Sequence, residues 1–141
     1  MLPEIELLQY VYKTADMGCQ GIETVEERAG KHLREELRRE KREYESIRGE
    51  ADGQIRRLGD TPGGVGAMAR AASGLMSRGE LALDGSRGKI AEMMIQGTTM
   101  GIVKTIRHLN DYRGQSGDAR RLGERLLDMQ EKNVERMKAY L

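Results

Sequence analysis

From Leu33 to Leu58 one set of residues returns at intervals of three or four: Leu33, Leu37, Glu40, Tyr44, Ile47, Ala51, Ile55 and Leu58. Only an α-helix, with about 3.6 residues per turn, puts such positions on a single face. A stripe this long must lie against other helices to leave water. The opposite face, "REELRREKRE", mixes both signs of charge and reads as a solvated surface. The rest of the composition agrees, because two prolines, no tryptophan and no phenylalanine leave few of the residues that favour strands.

The same spacing marks the other elements. Pro3 suits a first helical turn, Glu4 and Glu6 follow it, and Ile5, Leu8, Tyr12, Ala15, Cys19 and Ile22 make a first helix over 2–27. "RAGK" turns the chain around Gly30, and "GDTPGG" at 59–64 ends the second helix with a glycine and a proline. Met68, Ala72, Leu75 and Met76 predict a weaker helix over 64–82. Ser86 then caps a helix reaching Tyr112, "RGQSGD" turns the chain, and Ser116 or Asp118 caps the last helix. Its predicted seam is Gly123, Leu127, Gln130, Val134, Met137 and Leu141, widened by Leu122, Leu126 and Met129.

Two long helices, a connecting helical segment and two more long helices predict an all-α protein. The expected architecture is a ferritin-like four-helix bundle with a helical long crossover between the second and third bundle helices, residues 1–141 forming one domain. Leu7, Val11 and Val25 fall off the first helix's seam and suggest apolar surface for a homo-oligomer such as a dimer.

Charge excludes other classes of partner. Twenty-four Lys and Arg against 23 Asp and Glu give a net charge of +1, so neither nucleic acid nor an anionic membrane is expected. No apolar run approaches the ~20 residues of a membrane span, and the acidic start is unlike a signal peptide. The lone Cys19 cannot make an internal disulfide, which suits a reducing cytoplasm. It has no evident His partner, and Ser73, Ser77, Ser86 and Ser116 have no companion base. The nine methionines read as core filler rather than soft-metal ligands.

Two features stand out. In "IQGTTMGIVKTI", Gly97 and Gly101 interrupt an apolar helix at roughly 1 kcal/mol each. With helix reversals near 28–30 and 114, they fall level with Gly18 and Gly21, which predicts a tight crossing where Gly97→Leu would overpack. The alternative is room for a ligand. Glu40, on the stripe between Leu37 and Tyr44, needs a partner if buried. The same reversals place it near Gln96, Thr98 or Thr99, and Gln130, with Cys19 and Met94 close by. This is the level where ferritin-like enzymes hold metal.

"EYESI" and above all "KIAEMMIQGTTMGI" resemble small ferritin-like proteins of Gram-positive bacteria, a group similar in outline to ferritin-like spore-coat proteins. The wider superfamily holds two iron ions with glutamates and Glu-x-x-His motifs. Here Ala29 stands three residues before His32 and Thr105 three before His108, so the motif is absent and His108 is expected to be a partly buried hydrogen-bonding residue. Acidic residues remain: Glu40 and Glu43 on the second helix, Glu92 on the third, Asp128 and Glu131 on the last. The resemblance therefore leaves two readings. The leading one is a non-enzymatic structural or protein-interaction module without a cofactor; the other is a carboxylate-type protein binding a divalent metal such as iron or manganese.

Overall fold

The computed structural model describes residues 2–63 and 86–141, and among these every regular element is helical. The helices are α1 (Glu4–Val25), α2 (Lys31–Arg57), α3 (Arg87–Asp111) and α4 (Gly117–Met137), with short 3-10 turns at Glu26–Arg28 and Lys138–Tyr140. The helix expected over 64–82 lies outside the described residues. No described helix is long and apolar enough to cross a membrane.

The helix ends follow local chemistry. Pro3 precedes the first helical turn of α1, with Glu4 and Glu6 at its positive end. After α1, the Arg34 guanidinium gathers the carbonyls of Glu26, Glu27 and Ala29 at 3.0–3.1 Å, which satisfies acceptors the helix leaves bare. Gly59 (φ 79°) ends α2. Its N–H reaches Arg56 O and that of Asp60 reaches Ile55 O, the paired bonds of a Schellman cap that a left-handed glycine permits. Ser86 Oγ accepts the Lys89 N–H at the start of α3. At α4 it is Ser116, not Asp118, whose side chain caps, accepting from Ala119 N.

α1 pairs with α2 and α3 with α4 as hairpins, and the two hairpins pack on each other. Between α2 and α4, Arg39 reaches Asn133, while Arg125 reaches Ser46 and Glu50. The N-terminal end of α1 meets the C-terminal end of α3, where Leu2 N donates to Asp111 O at 2.8 Å.

Three helices come close together at Gly123. A Cβ there would stand 2.8 Å from Leu109 Cδ2 and 3.7 Å from Leu7 Cδ1, so its bare Cα lets α1, α3 and α4 converge. Leu7, Val11 and Val25 are consequently buried within the chain, correcting their expected place on an outer surface. A helix with neighbours on more than one side buries a wider arc than a single seam. On α4 the expected Leu122, Gly123, Leu126, Met129, Gln130 and Met137 are buried and Asn133 joins them, whereas Leu127 and Val134 are only half-buried and Leu141 is exposed.

Candidate functional site: a cleft between α1 and α3

α3 is buried at Ile90 and Ala91 and again at Thr105 and Leu109, but at none of residues 92–104. Along that interval it stands off α1 and leaves a cleft of about 670 Å³. Met17, Val25, Met93, Met94 and Met100 give it apolar walls, and Tyr44 and Gln130 also line it.

Gly18, Gly21, Gly97 and Gly101 all border this space. Their common level was legible in the sequence, but the tight crossing expected of them is not what forms. Among the described residues, a Cβ on Gly97 or Gly21 would meet nothing within 4 Å, so a leucine at 97 would enter the opening rather than overpack them. The other two glycines serve different neighbours. A Cβ on Gly18 would stand 2.6 Å from Tyr44 Cζ, and one on Gly101 2.7 Å from Gln130 Nε2.

At one end a polar clasp joins three helices. Thr105 Oγ1 lies 2.9 Å from both Gly101 O and Gln130 Oε1, and the Tyr10 hydroxyl lies 2.8 Å from Thr105. The Tyr10 ring stacks on half-buried His108 with centroids 3.7 Å apart. Because a carbonyl only accepts, His108 Nδ1 carries a proton and donates to Lys104 O at 2.8 Å. Lys13 and Lys104 reach the cleft near this end, and no aspartate or glutamate lines it among the described residues.

Glu40 is buried as expected, at 1% exposure, but its partners are not the expected ones. Gln130 is engaged by Thr105, and exposed Gln96 donates to Glu92. Tyr44 instead has Thr98 and Asn133 beside its hydroxyl, and burial raises the phenol's pKa. Glu40 Oε1 and Asn133 Nδ2 are, among the described residues, the buried side-chain polar atoms without a hydrogen bond. Desolvation, reinforced by Glu36 and Glu43 against the pull of Arg39 and Arg136, pushes the Glu40 carboxyl up to about 8. The difference is one of register. The 3-10 turn and the residues after it delay the first reversal, so Asp16 meets Arg48 and Gly18 meets Tyr44, each more than a turn beyond the estimate.

The acidic residues considered as metal ligands are not gathered. Glu43 pairs with Arg39 and Arg136, Glu92 faces Lys89, Asp128 faces Lys132, and Glu131 is exposed on α4. Among the described residues no group of three or more His, Cys, Asp or Glu could hold a metal ion. Cys19 is buried, and desolvation raises its thiol to about 11, which keeps it from forming a nucleophilic thiolate at neutral pH.

Sequence reasoning missed the clasp and Asn133. Tyr10 and Thr105 lie off the apolar repeat, although a threonine four residues after a helical glycine was there to be seen. In comparisons with protein-family models, characterised proteins and solved structures, nothing matches this chain.

Proposed function

We propose that this chain is a non-enzymatic ferritin-like four-helix bundle that works as a binding module, holding an apolar partner in the cleft between α1 and α3. The observation that carries the reading is the space at Gly97 and Gly21, open among the described residues and walled by methionines. Met side chains are flexible and polarisable and adapt to apolar guests. The volume falls in the range of pockets that enclose small molecules. Two hairpins joined across a long connection, with α1 running against α3, support the ferritin-like part of the proposal.

A neutral solvatochromic dye such as Nile red tests it. Its fluorescence is expected to rise with the unmodified protein and to lose that rise in Gly97→Leu, whose helix content stays unchanged. A rise equal in parent and variant would place the dye elsewhere and defeat the reading.

Self-association is a second reading with its own observation. Met100, Val103 and Ile106 are exposed on α3 at 63%, 46% and 40%, an apolar strip suited to a second copy of the chain.

A further inference from the structure

The geometry points to an elongated amphiphile with an anionic head, of the long-chain carboxylate type, as the occupant of the α1/α3 cleft. This rests on the binding reading above and adds the chemistry of the guest. The cleft is polar at one end and apolar at the other. Lys13 and Lys104 flank the end closed by Tyr10 and His108, while Val25, Met93 and Met94 lie towards the other. From His108 to Met93 the lining of α3 runs roughly 20 Å at the helical rise, a channel long in proportion to its volume.

Charge selects the head group. Lys13 and Lys104 come from opposite walls, neither makes an ion pair among the described residues, and no carboxylate lines the cleft there to satisfy them. Several basic side chains elsewhere pair with carboxylates, as Lys41 does with Glu23 and Lys132 with Asp128. Two unmatched ammonium groups at the mouth of an apolar slot favour an anion there and disfavour a cation. The tail requires no directional partner. The methionine walls and the open faces of Gly21 and Gly97 supply only width and apolar contact, which suits a hydrocarbon chain.

The test compares dodecanoate, dodecan-1-ol and dodecyltrimethylammonium, each below its self-association concentration, by calorimetry and by methionine-methyl NMR on the full chain. Dodecanoate is expected to bind roughly tenfold or more tightly than the alcohol, and the cation more weakly still. Shifts should centre on Met17, Met93, Met94 and Met100. The double variant Lys13→Gln/Lys104→Gln should erase the preference for the carboxylate while leaving Nile red binding intact. Gly97→Leu, with Gly21→Leu as a second filling variant should the first fail to fold, should block every guest. Equal binding of carboxylate and alcohol, or a preference that survives loss of both lysines, overturns the anionic assignment and leaves the binding reading standing. Absence of Nile red binding in the unmodified protein removes both.

Discussion

The Tyr44 ring fills the notch left by Gly18: a Cβ on that glycine would lie 2.6 Å from Cζ and 2.7 Å from Cδ1 and Cδ2. The ring face, not a flexible chain end, occupies the space, so α1 and α2 meet here through a bare backbone. Across the cleft, Gly97 has no such neighbour among the described residues.

Those two glycines should therefore respond oppositely to alanine. Gly18→Ala gains helix propensity but must displace a buried ring, for a net loss of about 1–2 kcal/mol. Gly97→Ala gains propensity with no clash and should stabilise by up to about 1 kcal/mol. Urea denaturation of both variants beside the parent measures the difference, and effects of the same sign would contradict these placements.

Glu40 should make stability depend on pH. Its carboxyl is raised to about 8 in the folded chain against an ordinary 4.5 when unfolded, so the folded state binds more protons between those values. Stability from this group is thus full below about 4.5, falls as pH rises and levels off above about 8, a loss of up to a few kcal/mol. Glu40→Gln removes the titration and should change stability little near pH 5. At pH 8.5 the variant should be the more stable protein. Parallel denaturation curves across this range check it; identical pH dependence in the two proteins would sink it.

Thr105→Val keeps the side chain's shape but breaks the clasp, leaving Gln130 Oε1 and the Tyr10 hydroxyl each short of a partner. A loss of about 1–2 kcal/mol is expected. Thr105→Ser, which retains the hydroxyl, should recover much of it, and a serine variant no better than valine would show that the methyl group matters more.

Ile106→Glu places a charge in the exposed strip of α3. If copies associate there, sedimentation of the parent at high micromolar concentration should give a mass above one chain, and the variant a single-chain mass. A parent that sediments as one chain would exclude the strip as a self-association surface at that concentration.

The helices were legible in the sequence because their causes are local. The stripe from Leu33 to Ile55 and the caps at Ser86, Gly59 and Ser116 depend on neighbours within a few residues, and all of them stand in the structure. Register was less legible, since a short 3-10 turn shifts every partner on α2 and gives Glu40 different company from that expected. The cleft was legible only as a set of level glycines. Whether two facing glycines close together or stand apart depends on where neighbouring side chains hold the helices, here at Gly123 and in the Tyr10, Thr105 and Gln130 clasp.

Between Ala91 and Gly101, where the clasp begins, α3 resembles a beam resting on two supports. Neither support needs to release for the middle to bow, and two glycines in the span weaken its resistance at roughly 1 kcal/mol each. Amide hydrogen exchange should consequently be faster around Gly97 than at Leu109. The width of the opening then becomes an adjustable quantity, set by the thickness of whatever lies beneath the beam, and an occupant that fits would be registered as slowed exchange along a helix whose ends never moved.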